Sequence, residues 1–426
     1  MPNGPLIANT VIAAAISLAF VASISFGATF QTLYTFPADA LSGSYPNGPL
    51  IMDAAGSLYG TTQGGGSSYV GVLFKLTPPA TPGHSWTETV LHQFEGGASD
   101  GKYPYGNLVM DDLGNLYGTA TGGGVSVCFN GCGVVFKFSP PSTPGGQWTE
   151  TILYAFQYNG IDGYSPEGNL ARDSLGRLYG TTARTLEGNQ RGGTVFQLTP
   201  PSTPGAMWTE TVLHEFGATG DGFADVSGVI LDSNGYVYGT TAGGGEFGYG
   251  TAFELVPPSN PGGAWNETIL YDFGPTSGQI PYTGLVFGSN GALFGATYNS
   301  IVRNNGTVFK LTPPAGGAQT WIGTAIHVYG GPNGSGPFGT PVFDQSGDLL
   351  VTTVAGGTYD QGTFSSLAPP VSAGQPWTIK AFFSFNGAAT GGWPNEAVTV
   401  APDGTVYGTT LQGGHNNNGT IFQYTP

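Results

Sequence analysis

Charge is scarce in this chain: 8% of its 426 residues are charged, and 10 Lys and Arg stand against 26 Asp and Glu, a formal net charge of −16. A nucleic acid or an anionic membrane would be repelled everywhere except at a local basic patch, and the sequence has none; its first basic side chain is Lys75. Cysteine is almost absent. The two present, Cys128 and Cys132, enclose Phe-Asn-Gly, a spacing suited to a small local disulfide; a metal site on this pair would need two further thiolate or imidazole ligands, and the 5 histidines do not cluster with it. Long apolar runs are missing beyond Val11–Phe26, which is short for a bilayer span and has the length of a signal-peptide core. Ser23-Ile24-Ser25 is its best cleavage signal and Ala28 a second, so residues 1–28 are read as a signal peptide, with an uncleaved tether or a buried N-terminal strand as the alternative. Export places the chain outside the cell, on its surface or in a periplasm, with no membrane segment after signal removal.

Glycine and proline are abundant, 74 and 32 residues, near the level where low-complexity disorder is suspected. Aromatic residues at a fixed period argue otherwise. The marker Leu-Tyr-Gly-Thr-Thr, followed at its aromatic position, recurs at Tyr59, Tyr117, Tyr179, Tyr238, Phe294, Leu350 and Tyr407, at intervals of 58, 62, 59, 56, 56 and 57. A period above 50 with four short strand signals per unit is the length of a propeller blade. The expectation is all-β: a seven-bladed β-propeller of four-stranded antiparallel blades, forming one domain over residues 29–426 and monomeric.

The second unit shows the strands most clearly. Strand A is Asn107–Met110; a turn at Asp111–Gly114 leads to strand B, Asn115–Thr119. The turn Asp recurs at Asp53, Asp173, Asp232 and Asp344, where a carboxylate accepting backbone N–H groups suffices to explain it. Strand C, Val134–Phe138, carries a Phe read as a core stripe through Phe74, Phe136, Phe196, Phe253, Phe309, Phe364 and Phe422, and Pro-Pro pairs end it. Strand D runs Trp148–Phe156, and its Trp, also at Trp86, Trp208, Trp265, Trp321 and Trp377, is read as covering the seam between blades. The seventh unit has no strand D of its own. Thr29–Phe36 matches that strand and is expected to complete the last blade from the N-terminal side, hiding an edge.

In a propeller the B–C and D–A connections share one face, where a site is to be sought. The D–A template Asp-Gly-x-x-Pro begins at Ser42, Asp100, Asp162, Asp221, Ser277, Asn333 and Thr390. Its carboxylates Asp100, Asp162 and Asp221 resemble a cluster for Ca²⁺ or for acid–base work, although all seven occupants also cap turns. No other cofactor is indicated. Reactive or recognition sites need residues that break the sevenfold pattern. The B–C connection of the third unit does so with Arg184, Glu187 and Arg191, and that of the fifth with Tyr298 and Arg303. Glu246 and Tyr249, Asp360, His415 and the D–A residue Trp393 follow. Aromatic and polar residues on Gly-rich loops suit a glycan or a peptide. The Gly-Gly-Gly runs lead into strands rather than helices and so cannot cradle phosphate at a helix N-terminus. His92 and His214 fill a strand-D slot held elsewhere by Tyr34, Tyr154 and Tyr271 and are read as packed aromatic substitutes, leaving no triad or metal built on histidine.

The unit Asn-Leu-x-x-Asp-x-x-Gly-x-Leu-Tyr-Gly-Thr-Thr, then Gly-Gly-Gly, Gly-Thr-Val-Phe-Lys-Leu-Thr-Pro-Pro and Trp-Thr-Glu-Thr-Val-Leu, resembles the bacterial "GloVer" tandem repeat, most closely over 107–154 and 169–213. The fifth and sixth units depart from it at Gly288, Leu350 and Val351. The resemblance implies an exported, choice-of-anchor protein with a propeller-like repeat, and brings no catalytic residues. The function expected is a binding scaffold for a glycan or protein ligand; the alternatives are a structural or adhesive envelope component, and a polysaccharide- or lactone-active enzyme using Asp100, Asp162 and Asp221.

Overall fold

The computed structural model describes residues 28–426 apart from 40, 82, 144, 185–191, 204, 219, 261, 276, 300–304, 316–319 and 373–374, together with the side chains of 224–226. Seven antiparallel sheets, one per sequence unit, form the blades of a β-propeller. Blade two is Gly101–Met110 (A), Leu116–Gly123 (B), Val134–Ser139 (C) and Thr149–Ala155 (D), paired in that order. Blade seven takes its fourth strand from the other end of the sequence, Thr29 pairing with Thr425 and Thr35 with Thr420. Phe30 then stacks on Phe383 of blade six, and the Thr399 hydroxyl donates to the carbonyl of Leu50 in blade one.

Each letter of the marker has a separate physical task. Its Gly lies directly across from the Phe of strand C, as in Gly118 opposite Phe136, and a Cβ there would meet the ring at 2.5 Å. The second Thr pairs hydroxyl to hydroxyl with the first residue of strand C in five blades, for example Thr241 with Thr251 at 2.9 Å and Thr353 with Thr363 at 2.8 Å. The marker Tyr meets the Trp of the next blade: Tyr59 with Trp148 at 6.0 Å, Tyr117 with Trp208 at 6.4 Å, and Tyr407 with Trp86 at 6.0 Å across the closure. The Trp row therefore covers the seams. The turn Asp residues cap their own turns, Asp53 accepting from the amides of Ala55 and Ser57 and Asp111 from those of Leu113 and Asn115.

Two assignments are corrected. Phe364 is one residue out of the Phe stripe: Ser365 holds that slot opposite Val351, while Phe364 pairs with Thr352. Large and small have changed places, Gly–Phe becoming Val–Ser, and the hydroxyl of Tyr329, fully buried where other blades have Phe, lies 3.0 Å from Ser365 Oγ. Strand A also begins earlier than expected. Residues Gly101–Tyr105, read as a connection, are strand paired to the end of strand B, with Gly101 opposite Gly123. Gly101-Lys102-Tyr103-Pro104-Tyr105 shows no clean alternation of apolar and polar residues, and its proline argues against a strand.

Successive blades are joined by a repeated contact. The Gly that opens strand C has no room for a side chain: a Cβ on Gly71, Gly133, Gly250, Gly306, Gly362 or Gly419 would lie 2.3–2.7 Å from the Cδ of Pro104, Pro166, Pro281, Pro337, Pro394 or Pro46 respectively. The residue before that Pro is left-handed, at Tyr45, Tyr103, Ser165, Ile280 and Trp393 with φ between 56° and 61°, and at Gly336. Its amide donates to the carbonyl just before the Gly, as in Tyr103 to Val70 and Ser165 to Cys132, both 2.9 Å, and Tyr45 to Asn418 at 2.8 Å. Cys132 is disulfide-bonded to Cys128, so this bridge closes the loop that supplies one of these acceptors.

Two outcomes are expected. Gly250→Ala should destabilise by about 3 kcal/mol or more in urea unfolding, since its Cβ meets both backbone and proline, whereas Gly262→Ala, left-handed with open space around it, should cost only about 1–2 kcal/mol. Removing residues 29–36 should leave the 420–425 strand edge bare and yield aggregated or loosened protein; a monomer with unchanged melting temperature would contradict the closure.

Candidate binding site at the mouth of the central channel

The junctions also build a site. After the junction Pro, strand A breaks its ladder with B: Tyr105 pairs with Thr119 and then Val109 with Tyr117, so five residues of A stand opposite three of B with a bulge between. The displaced residues face the centre of the ring. The first Thr of the marker holds them there, Thr119 donating to the Tyr105 carbonyl and Thr352 to the Glu396 carbonyl, both at 2.8 Å. Gly48, Gly106, Gly168 and Gly339 occupy the tightest slot; a Cβ on Gly339 would lie 2.3 Å from the Glu396 carbonyl carbon. Ser227 and Thr283 use the same slot to bond strand B, and only blade seven places a long side chain there, Glu396.

These residues line a cavity of about 600 Å³ to which all seven blades contribute. Its aromatic wall is Tyr105, Tyr282, Tyr298, Phe338 and Trp393. Three of these pack together, Tyr282 with Phe338 at 5.4 Å, Tyr282 with Tyr298 at 5.9 Å and Tyr298 with Phe338 at 6.1 Å between ring centres. Its polar groups include Asn47, Gln63, Asn169, Asn395, Glu167 and Glu396, and among the described residues no Lys, Arg or His lines it. Asn395 donates to Asn47 Oδ1 at 2.9 Å across the closure, while its own Oδ1 is buried without a hydrogen-bond partner among the described residues. Glu167 accepts from the Ser165 hydroxyl at 2.9 Å. Burial alone pushes the Glu396 carboxyl up to about 8, because no cation or donor among the described residues compensates its lost hydration.

Of the residues singled out in the sequence, Tyr298 and Trp393 line this cavity. Arg184, Glu246, Asp360 and His415 are exposed on the B–C side, where Asp360 caps its own loop through the Gly356 amide at 2.8 Å. Tyr249 is not a free loop residue: it packs against the core between blades and its carbonyl accepts from the Ile280 amide at 3.0 Å. Glu187, Arg191 and Arg303 lie outside the described residues. The post-proline residues were missed, although one signal pointed to them. The slot after each junction Pro changes identity from blade to blade, Asn47, Tyr105, Glu167, Tyr282, Phe338 and Asn395, on an otherwise repeated frame.

Asp100, Asp162 and Asp221 form no common cluster; each serves a different seam between outer strands. Asp162 accepts from the Tyr154 hydroxyl at 2.7 Å beside Glu210 of the next blade. Asp100 Oδ1 lies 3.3 Å from His92 Nε2, and Glu150 Oε2 of the next blade 3.5 Å from the same nitrogen. The pattern returns at His214, with Asp221 at 3.2 Å and Glu267 at 3.6 Å. The two histidines do pack as aromatic rings, His92 edge-on to Phe94 at 5.0 Å, but each also faces two carboxylates. Burial, then the facing Asp100 carboxylate, pushes Glu150 up to about 9; burial raises Glu267 and Glu210 to about 7.

One sheet per repeat, over the whole ring, makes the repeat the structural unit, and the sequence profile of the Gloeobacter/Verrucomicrobia repeat matches residues 19–184 and 127–329, more than half of the chain. The chain belongs to this repeat family. The repeat thus corresponds to one blade, with its seam, junction and channel residues at fixed places. No curated protein matches the chain. Among solved structures it is similar to a putative oxidoreductase (glucose dehydrogenase) from Thermus thermophilus, at 15% identity and a TM-score of 0.42, covering 94% of this chain and 100% of that one. It is also similar to a protein of unknown function from Dyadobacter fermentans, at 11% identity and 0.44, covering 93% and 98%. A luciferin-regenerating enzyme is similar at 13% and 0.42, covering 78% and 92%. Likeness this distant transfers no activity.

The pH dependence of stability follows from the raised carboxyls. A folded pKa of about 8 for Glu396, above its unfolded value, stabilises the fold fully below the ordinary glutamate pKa, and that contribution is lost as pH rises toward 8. Glu396→Gln, which stays neutral, should flatten the fall in melting temperature between pH 5 and pH 8; parallel profiles for the two proteins would show that Glu396 titrates normally.

Proposed function

We propose that this repeat propeller is a binding protein whose ligand is a small neutral carbohydrate seated at the mouth of the central channel. The carrying observation is the composition of one cavity: five aromatic side chains beside amides and carboxyl groups, with no cation among the described residues that line it. Aromatic faces stack on the apolar faces of sugar rings, while Asn, Gln and Glu exchange hydrogen bonds with hydroxyls. The orphaned Oδ1 of Asn395 is an acceptor that a bound hydroxyl or a water relay satisfies. An anionic ligand fits poorly, given Glu167 in the wall, the lack of a cation among the described lining residues and the net charge of −16. A volume of about 600 Å³ suits a ligand of one or two sugar rings. The glycan half of the binding expectation is thereby favoured over the protein half, and the channel mouth over the outer B–C loops.

An enzymatic reading has one observation in its favour. Glu396 holds its proton near neutrality and so has the pKa of a general acid, which the seam-bound Asp100, Asp162 and Asp221 do not supply to the channel. Export to the cell exterior or surface remains part of the proposal on sequence grounds, through the apolar run Val11–Phe26. Among the described residues no helix is long and apolar enough to cross a membrane.

Thermal-shift and calorimetric titration with mono- and disaccharides should raise the melting temperature, by about 2.7 kcal/mol of stabilisation at a ligand concentration 100 times Kd. Phe338→Ala or Trp393→Ala should weaken binding about tenfold or more, while Arg184→Ala on the outer loops should leave it unchanged. Sugars that bind equally to the channel variants and the parent would overturn the assignment. Turnover of glycosides or lactones that Glu396→Gln abolishes would replace it with the enzymatic reading.

A further inference from the structure

We propose that His92, Asp100 and Glu150, and equally His214, Asp221 and Glu267, are two sites for a transition-metal dication of the zinc class, each joining one blade to the next. In each trio the three candidate donor atoms lie within 4.8 Å of one another. The nitrogen-to-oxygen separations are 3.3 and 3.5 Å in the first and 3.2 and 3.6 Å in the second. A tetrahedral ion with bonds of about 2.0–2.1 Å holds its ligand atoms about 3.3 Å apart. The two nitrogen-to-oxygen edges of each trio match that spacing.

A plain ion pair is the competing explanation, and the fold contains its own comparison. At two of the tyrosines in the same strand-D slot the hydroxyl commits to one acceptor at hydrogen-bond length: Tyr34 to Glu88 at 2.6 Å, Tyr154 to Asp162 at 2.7 Å. The histidine nitrogens instead stand between two carboxylates, at distances beyond the 2.7–2.9 Å or so of charge-assisted hydrogen bonds, because one N–H cannot point at both. An imidazole lone pair can serve a metal at that point; a phenol in the Tyr154 seam has committed its hydrogen to Asp162.

The surroundings support ligation. The second oxygen of Asp100 accepts from the Glu95 amide at 2.6 Å, and that of Asp221 from the Gly222 amide at 2.6 Å, which orients the other oxygen of each toward its histidine. Once a metal displaces the protons that burial holds on Glu150 and Glu267, two carboxylates and a neutral imidazole sum to a charge of −2, which a dication cancels. The His92 and His214 side chains are 25% and 21% exposed, so solvent reaches both sites and water can complete the coordination. Calcium is disfavoured, since it takes six to eight oxygen ligands and these trios offer two carboxylates and a nitrogen. The proposal is independent of the channel site.

The test uses the full chain stripped with a chelator, titrated with Zn²⁺ by calorimetry and metal analysis, and with Co²⁺ by its visible absorption. Two equivalents per chain are expected, with a rise in melting temperature. His92→Tyr and His214→Tyr install a residue that the same slot already holds at Tyr34 and Tyr154, so the metal-free fold should survive; each should lose one equivalent and the double variant both. Asp100→Asn and Asp221→Asn should lose the same equivalents, which keeps the test decisive if a tyrosine variant folds poorly. Absence of Zn²⁺ and Co²⁺ binding in the parent, equal binding in the double variant, or a response to Ca²⁺ alone would overturn the proposal.

Discussion

The close approach of one proline to one glycine, repeated between consecutive blades, governs the rest of this molecule. It requires a glycine without alternative at the start of strand C and a left-handed residue before the proline, and in return aligns an amide with a carbonyl of the neighbouring blade. A single hydrogen bond of this kind contributes about 1 kcal/mol. In a closed ring, however, no junction opens without straining the others, so small terms act together. Blade three to blade four is the exception in sequence, where Asp225 stands in the proline slot.

The same junction explains why the channel mouth tolerates diversity. Main chain at the post-proline slot is fixed from behind by the junction and from the side by the marker threonine, as with Thr119 on Tyr105. Side-chain identity there is unconstrained by folding, and Asn, Tyr, Glu and Phe all occur. The B–C loops, by contrast, spend several of their polar groups on their own geometry, as Asp360 does with Gly356 and Asn417 with Gly413.

Much of the architecture was legible because it rests on period and local chemistry. The blade count, the borrowed strand Thr29–Thr35, the Trp seams and the Asp turns all follow from residues read in register. What escaped depends on pairing that no local pattern encodes. Gly101–Tyr105 is strand only because the end of strand B lies beside it. Phe364 slips by one because Val351 takes volume that the stripe Phe fills in the other blades. Glu150 lies some fifty residues from Asp100 in sequence and meets it only because adjacent outer strands converge. Glu396 breaks no local pattern, and its place at the channel shows only against the glycines at the equivalent positions of other blades.

The borrowed strand also sets a timetable for synthesis. Thr29–Thr35 is made first and its partner Thr420–Thr425 almost 400 residues later, so at about 5–20 residues per second the ring stays open for roughly 20–80 s. During that interval both the first strand and the growing end present unpaired backbone. Sparse charge makes such edges sticky, and the prolines that end each strand C, together with the glycine-rich B–C connections, are then the features that keep the nascent blades from pairing with a neighbouring chain.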